Sequence, residues 1–248
     1  ISYMKGVPAM IDPDRVANIP ALLDGIAQKH PDAPAFTNMG VTLTTQQAQS
    51  LSCDLAAYLQ SLPDMQKGDR VAIMMPNLLQ YPVALFGILR AGFIVVNVNP
   101  LYTARELEHQ LKDSGAKAII IIENFAKTLE RVLTHTPVKH IITTQVGDLF
   151  PFMKRTLVNT VVKHVKKMVP QWTLPGAVDF RQALAIGHQK GFKPVELSNE
   201  DVALLQYTGG TTGVSNGAML THRNVLANVE QTGRWISVSF KECEEVAM

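Results

Sequence analysis

A glycine- and threonine-rich segment near the carboxyl end has the residue types best suited to holding an anion. It spans residues 206–217 and reads Gln-Tyr-Thr-Gly-Gly-Thr-Thr-Gly-Val-Ser-Asn-Gly. Its last ten residues include four glycines and three threonines, so backbone N–H groups and hydroxyls are plentiful and side-chain bulk is small. Because glycine lets the backbone take positive φ and approach closely, such a loop can wrap around phosphate oxygens. The alternative is a plain glycine-rich hairpin without a ligand.

Two common nucleotide-binding patterns do not fit this loop. A Walker A loop needs two glycines five positions apart and then a lysine, and no pair of glycines here has that spacing. The dinucleotide pattern G-x-G-x-x-G fails because Gly209 and Gly210 are adjacent. Apolar runs at 202–205 and 218–220 flank the loop. We therefore expect it to join two strands at the edge of a sheet.

The preceding chain has the rhythm of a parallel α/β sheet. Runs rich in valine and isoleucine recur roughly every 22 to 25 residues, with helical patterns between them. We expect strands at 71–75, 93–98, 118–122 and 140–143, and helices at about 78–90, 103–115 and 125–134. Gly92 and Gly115 suit helix ends, and Thr103 with Glu106 is a capping-box sequence. This alternation predicts an α/β fold whose mostly parallel sheet is covered by helices on both faces.

These patterns divide the chain into four regions. We expect a leading segment and helical layer at 1–65, with helices near 21–29 and 44–59, then βαβ repeats at 66–146. A basic amphipathic insert at 147–196 and the phosphate-loop region at 197–248 follow.

Three further residues invite a functional interpretation. Asn77 and Asn99 follow strand ends, where open α/β sheets bind ligands, although turn or cap chemistry is the stronger interpretation. His222 follows Thr221, an expected N-cap. We expect His222 to be a surface or capping histidine rather than a catalytic base, because no carboxylate lies at a fixed spacing to orient it.

Residues 150–169 interleave basic and apolar side chains at helical spacing. No acidic residue occurs between Asp148 and Asp179, whereas five lysines and arginines do: Lys154, Arg155, Lys163, Lys166 and Lys167. A basic amphipathic helix of this kind can lie on an anionic membrane surface. It can equally be a surface helix whose apolar face packs on its own domain, and the sequence leaves both interpretations open.

Composition sets the broad class. The chain has 248 residues, 46% of them apolar, which suffices for a sizeable core. A net charge of +2 is too small to indicate nucleic acid as a partner. Cys53 and Cys243 are far apart, so reduced thiols are expected and a zinc site is not. With no run of 18 apolar residues, we expect no membrane-spanning helix and a cytoplasmic protein that at most contacts the inner face of the cell membrane.

The loop resembles the phosphate loop of the adenylate-forming superfamily, which includes acyl-CoA synthetases, luciferases and peptide-synthetase adenylation domains. Residues 208–217 match that pattern except at Asn216, where the family carries lysine. Other segments are similar to the N-terminal half of bacterial long-chain fatty acid–CoA ligases. They are residues 68–72, 74–77, 81–87, 90–92, 96–102, 105–108 and 217–224. The resemblance therefore identifies the chain as the N-terminal portion of the large AMP-binding domain.

This resemblance implies a two-step reaction and its ligands. A fatty acid carboxylate attacks the α-phosphate of ATP·Mg²⁺, giving an acyl-adenylate and pyrophosphate, and the thiol of coenzyme A then displaces AMP. It implies that the following residues contact ATP: Tyr207, Thr208, Gly209, Gly210, Thr211, Thr212, Gly213, Val214, Ser215, Asn216 and Gly217. It assigns no catalytic residue and no metal ligand within this chain. Because asparagine has no charge to neutralise pyrophosphate, we expect Asn216 to weaken ATP handling.

The family's later motifs have no match in these residues. They include the Tyr-Gly-x-Thr-Glu motif, the ribose-binding aspartate and the mobile C-terminal domain with its catalytic lysine. We therefore expect the 248 residues alone to lack complete ligase turnover. The alternatives are a non-catalytic binding or regulatory module, an inert fragment of an active parent, and a membrane-surface adaptor acting through 150–169. Related ligases can form homodimers through this half.

Overall fold

A computed structural model of the chain describes residues 10–208 and 216–236. Eight α-helices lie within them: α1 (Ile19–Lys29), α2 (Thr45–Gln60), α3 (Gln80–Arg90), α4 (Ala104–Ser114), α5 (Ala126–Val132), α6 (Phe152–Thr160), α7 (Phe180–Lys190) and α8 (His222–Ile236). The strands are β1 (Pro34–Asn38), β2 (Val41–Thr44), β3 (Arg70–Met74), β4 (Ile94–Asn97), β5 (Ala118–Ile122), β6 (His140–Thr144), β7 (Val178–Asp179), β8 (Val202–Thr208) and β9 (Asn216–Thr221).

A seven-stranded sheet organises these elements in the order β7-β6-β5-β3-β4-β8-β9. Neighbouring strands pair in parallel from β7 through β8, and only the pairing of β8 with β9 is antiparallel. Strands β1 and β2 form a separate antiparallel hairpin. The prediction of a mostly parallel α/β sheet is confirmed, and so is the prediction that the loop after 208 joins two strands at its edge.

Both faces of the sheet are buried, and strand periodicity explains why. Along β3, Val71 and Ile73 pack into a core with α1, α2, α3 and α7, whereas Ala72 and Met74 pack into a second core with α4 and α5. Successive side chains of a strand point to opposite faces, so a continuous apolar run serves two cores at once. All five residues of β5 are buried for the same reason.

Local signals set most element boundaries. Thr103 and Glu106 form the expected capping box at α4, and Gly115 ends that helix with φ of 63°. Helix α3 begins at Gln80, two residues later than expected, and its N-cap Leu79 has no side chain that can cap. Helix α5 is shorter than expected because 3₁₀ turns at Glu123–Phe125 and Leu133–His135 flank it.

The region 147–196 contributes to the same sheet. Strand β7 pairs with β6, and α7 packs against α2 at very short range. A Cβ on Gly187 would lie 1.8 Å from the carbonyl oxygen of Asp54, so only glycine allows this approach.

Helix α6 is the exception to inward packing. Phe150 and Val158 pack on the core, but Phe152, Met153 and Leu157 are exposed to solvent. The interpretation that this apolar face packs on its own domain therefore holds for Phe150 and Val158 but not for Phe152, Met153 and Leu157. Among the described helices, none combines the length and apolarity that crossing a bilayer requires.

Candidate functional site

An open cleft of about 500 Å³ lies at the carboxyl ends of β3, β4 and β8. Its walls are the ends of these strands and the turns that follow them. They consist of Ile73, Asn77, Tyr81, Asn97, Val98, Asn99, Tyr102, Gln206 and Tyr207. Because β3, β4 and β8 are parallel, their carboxyl ends meet at one edge.

The cleft coincides with the point where the chain changes faces of the sheet. Helix α3, after β3, packs in the core with Val71 and Ile73, while α4, after β4, packs on the opposite face. Adjacent strands whose connections leave in opposite directions open a crevice between them, which is where open α/β sheets bind ligands. The cleft between β3 and β4 is that crevice.

A chain of hydrogen bonds crosses the cleft from α3 to β8. The hydroxyl of Tyr81 donates to Asn97 Oδ1 at 2.9 Å, and Asn97 Nδ2 donates to Gln206 Oε1 at 3.1 Å. Burial raises the pKa of the Tyr81 phenol, so this donor keeps its proton at neutral pH. The buried side-chain amide of Gln110 on α4 donates to the backbone carbonyl of Asn97 at 2.7 Å and so fixes the middle residue of this hydrogen-bond series. These bonds fix the orientation of the Asn97 and Gln206 amide groups in the cleft wall.

Tyr207 anchors the end of β8 to α4. Its hydroxyl donates to Asp113 Oδ2 at 2.6 Å, and burial followed by this contact with a carboxylate raises its pKa well above the usual value. On β9, Gly217 lies directly opposite Tyr207. A Cβ on Gly217 would lie 2.9 Å from two carbons of the Tyr207 ring, so the glycine makes room for the aromatic side chain.

Four of the eleven residues expected to contact ATP lie within the described structure. Tyr207 and Thr208 end β8, and Asn216 and Gly217 begin β9. Thr208 and Asn216 face each other across the hairpin, and both are exposed. The other seven expected residues, 209–215, lie outside the described residues. The end of β8 borders the cleft, because Gln206 and Tyr207 line it.

Sequence reasoning found part of the cleft and missed part. Asn77 and Asn99 both line it, and Asn99 also has the expected turn role, because its Oδ1 accepts from the backbone N–H of Leu101 at 3.0 Å. Tyr81 and Asn97 were missed as site residues. In the sequence they are only a tyrosine in the first turn of α3 and an asparagine at the end of β4, and neither residue is distinctive unless the order of the strands is known.

His222 belongs to the scaffold. It is 2% exposed, which contradicts a surface position. Its Nδ1 accepts from the backbone N–H of Ile19 at 3.2 Å in the first turn of α1, so its capping role is real but serves another helix. Burial lowers the pKa of its imidazole, which keeps Nδ1 available as an acceptor.

Metal ligation finds no support in the described part of the chain. Within residues 10–208 and 216–236, no group of three or more His, Cys, Asp or Glu side chains lies close enough together to hold a metal ion. Cys53 is a half-buried free thiol, and burial raises its pKa. Cys243 lies outside the described residues.

Comparison with known proteins identifies the family to which this open α/β sheet belongs. The family model of the AMP-binding enzymes matches residues 23–247. The chain therefore belongs to the AMP-binding enzyme family.

Among curated proteins, the chain is clearly similar to one group of ligases. The chain is 56% identical over 239 residues to a long-chain-fatty-acid–CoA ligase of Haemophilus influenzae, covering 96% of this chain and 42% of that protein. It is 58% identical over 229 residues to the corresponding ligase of Salmonella typhimurium, covering 92% and 41%. The chain thus spans about two fifths of the length of the curated relatives it matches.

Solved structures share the architecture. A long-chain-fatty-acid–CoA ligase from Archaeoglobus fulgidus superposes with a TM-score of 0.70 at 25% identity, covering 95% of this chain and 42% of that one. An anthranilate–CoA ligase in complex with anthranoyl-AMP gives a TM-score of 0.69 at 18% identity, covering 86% and 37%. The second match supports the fold alone.

Proposed function

We propose that this chain is the amino-terminal part of an AMP-forming long-chain fatty acid–CoA ligase. The intact protein would activate a fatty acid with ATP as an acyl-adenylate and then transfer the acyl group to coenzyme A. The observation that supports the proposal is the β8–β9 hairpin, because Gln206 and Tyr207 at the end of β8 line the switch-point cleft. The strong similarity to curated ligases over most of this chain supports the same substrate class.

The loop would act by positioning and charge neutralisation. Backbone N–H groups of 208–217 and the hydroxyls of Thr208, Thr211 and Thr212 would hold the β- and γ-phosphates of ATP. We propose that ATP arrives as its Mg²⁺ complex, since phosphate-bound Mg²⁺ needs only one or two protein carboxylates. Tyr207, tied to Asp113 and packed on Gly217, would keep both strands of the hairpin in register beneath that loop.

We add two proposals about what the intact protein contacts, a membrane and a second copy of itself. We propose a peripheral location at the inner face of the cell membrane, with contact through residues 150–169. We also propose a homodimer formed through this half of the protein, which sedimentation of the intact protein would test.

The ligase proposal is tested with the intact gene product. Incubation with a long-chain fatty acid, ATP·Mg²⁺ and coenzyme A should yield acyl-CoA and AMP in equal amounts, whereas residues 1–248 alone should yield neither. Thr211→Ala/Thr212→Ala should lower kcat/KM for ATP by roughly 10- to 100-fold, because hydrogen bonds to charged groups are lost. Thr134→Ala, at an exposed site remote from the loop, is the matched control.

Two results would contradict the proposal. One is formation of ADP instead of AMP, which would indicate attack at the γ-phosphate. The other is ATP binding by the intact protein without turnover of any fatty acid, which would favour a non-catalytic binding module.

A further inference from the structure

We propose that His222 is a proton-sensitive latch, which holds the start of α8 against the start of α1 at neutral pH and releases it in acid. The α1–α8 joint consists of the first turns of these two helices, where His222 and Ile19 meet. The latch does not depend on the proposed ligase activity, because it lies at the amino edge of the sheet, whereas the candidate cleft lies at the carboxyl edge.

At neutral pH the imidazole of His222 completes the amino end of α1. Its Nδ1 accepts from the backbone N–H of Ile19 at 3.2 Å. Ile19 is the first residue of α1, where backbone N–H groups have no partner within the helix, and it is only 6% exposed. The bond therefore satisfies a donor that would otherwise be buried without an acceptor.

This contact requires a neutral histidine. A backbone N–H can only donate, so Nδ1 must be unprotonated and the ring carries its single proton on Nε2. A second proton would go to Nδ1 and turn it into a donor that faces another donor. The imidazolium and the N–H of Ile19 cannot then stay in contact, so protonation opposes the closed joint.

Two charged side chains face the imidazole and act on it in opposite directions. Asp201 lies just before β8 and Lys67 before β3, and both line the same cavity as His222. Burial lowers the pKa of His222, Asp201 raises it and Lys67 lowers it, so that the ring is harder to protonate in the closed joint than in a free histidine. Among the described residues, no other charged side chain lines this cavity.

The cavity, of about 150 Å³, gives the protonated ring a second position. Asp201 is close to it, because its carbonyl accepts from the backbone N–H of His222 at 3.1 Å. In the closed joint the Asp201 carboxylate pairs with Lys67 at 2.8 Å, and Lys67 has another acceptor in the carbonyl of Glu196 at 2.8 Å. Rotation of the imidazolium into the cavity would therefore exchange the Ile19 contact for an ion pair with Asp201 and leave Lys67 with a partner.

The segment before α1 is also tied to α8 and its surroundings by ion pairs at the surface. They join Arg223 to Asp14 at 3.0 Å and to Glu200 at 4.0 Å, and Arg15 to Glu230 at 3.7 Å. Surface pairs of this kind contribute little to stability. The buried contact between the imidazole and α1 should therefore decide how readily the joint opens.

Amide hydrogen exchange of the intact protein tests the latch. After correction for intrinsic exchange rates, the opening constant of amides in the first turns of α1 should rise at least roughly tenfold between pH 7.5 and 5.5. The rise occurs because the closed joint resists protonation, so protons favour the open joint once the pH falls below the usual histidine value of 6.5. At both pH values these amides should exchange faster than those of β5, as a local opening requires.

Two substitutions of His222 separate the proton from the hydrogen bond. His222→Asn supplies an amide oxygen near the position of Nδ1 and does not titrate, so the protection of α1 should persist and its loss in acid should disappear. His222→Leu removes the acceptor, so α1 should be as poorly protected at pH 7.5 as at pH 5.5. The matched control is His188→Asn, at a side chain that is 78% exposed, which should keep the tenfold rise. Thermal melting at pH 7.5 verifies that each variant is folded.

Asp201→Asn tests the second position of the ring. Without this carboxylate the imidazolium loses its partner in the open joint, so the rise in acid should begin at lower pH. Asp32→Asn, at an exposed site elsewhere, is the control with the same change of charge. In the unmodified protein, exchange at the imidazole C2 position measured by mass spectrometry should give a midpoint for His222 below 6.5, and this measurement needs no variant.

Three results would overturn the latch. One is equal protection of α1 at pH 7.5 and 5.5 in the unmodified protein. Another is an equal rise in His222→Asn, because a different group would then be titrating. The third is exchange of α1 at the rate of β5, because the opening would then be global.

Discussion

At the scale of single residues, the β8–β9 hairpin contains one especially close pair, Tyr207 and Gly217. Tyr207 fills the space in which a side chain on Gly217 would stand, and its hydroxyl reaches Asp113 on α4. The glycine is therefore needed for the room that it leaves, in a strand where glycine is otherwise unfavourable.

Gly217→Ala should destabilise the chain by about 1 to 3 kcal/mol, because the new methyl group would overlap the Tyr207 ring. Urea unfolding of residues 1–248 measures the change. Gly25→Ala is the matched control, since no atom lies within 4 Å of its added Cβ in helix α1, and it should stabilise by about 0.5 to 1 kcal/mol. Identical midpoints for the two variants would show that the Tyr207 contact is relaxed.

Asn216 is the second residue with a specific consequence. It faces Thr208 at the base of the loop and is exposed, so a longer cationic side chain can be accommodated there. Asn216→Lys should tighten binding of ATP·Mg²⁺ by roughly tenfold, since charge-assisted hydrogen bonds are about twice as strong as neutral ones. Titration calorimetry on the intact protein measures this. Asn216→Gln, which adds length without charge, should not tighten binding, and an equal gain in both variants would refute the charge argument.

At the scale of elements, the connection from β6 to α6 is built on a buried carboxylate. Asp148 is 4% exposed, and one of its oxygens accepts from the backbone N–H of Gln145 at 2.7 Å and from the hydroxyl of Thr144 at 2.8 Å. Burial raises its pKa from 3.8 to about 6, and these hydrogen bonds oppose that effect without cancelling it. The turn that orients α6 is therefore most stable when Asp148 is protonated.

This raised pKa predicts a pH dependence of stability. Because the folded state binds the Asp148 proton more tightly than the unfolded state, the contribution is complete below pH 3.8 and is lost as the pH rises through about 6. Between pH 4 and 7, unmodified protein should lose about 2 kcal/mol of unfolding free energy relative to Asp148→Asn. Urea unfolding at several pH values checks this, with exposed Asp32→Asn as control. Parallel curves for Asp148→Asn and unmodified protein would contradict the burial effect.

At the scale of the whole molecule, the sheet is unevenly covered across its width. Strand β5 is buried throughout and pairs with β3 and β6, whereas β9 has no fully buried residue and, within the described residues, pairs only with β8. Local opening should therefore be easiest at the β9 edge.

Native-state hydrogen exchange tests this gradient in residues 1–248. Amides of β5 should exchange near the rate of global unfolding, and those of β9 should exchange at least roughly a thousandfold faster. Mass spectrometry of peptic fragments resolves the two strands. Equal protection would mean that the sheet opens only as a unit.

Much of the fold could be predicted because its signals are local. The β-branched runs, the Thr103 capping box and the helix-ending Gly115 specify elements regardless of what they pack against. The prediction that the glycine-rich segment joins two strands at a sheet edge also followed from its apolar flanks alone. The cleft was only partly predictable, since Tyr81, Asn97 and Gln206 are separated by up to 125 residues and meet only because β4 lies between β3 and β8.

The sequence by itself determined the alternation of strands and helices. It also determined the resemblance of residues 208–217 to the family's loop pattern, with Asn216 in place of lysine, because both depend on residue type and short spacing. Only the tertiary structure decided which side of α6 faces solvent, since Asn159 finds its partners on the turn 145–147 rather than within its own helix. It likewise decided that His222 is buried as a cap for α1, across 203 residues of chain. Such outcomes depend on contacts between distant segments, which the periodicity of one segment does not predict.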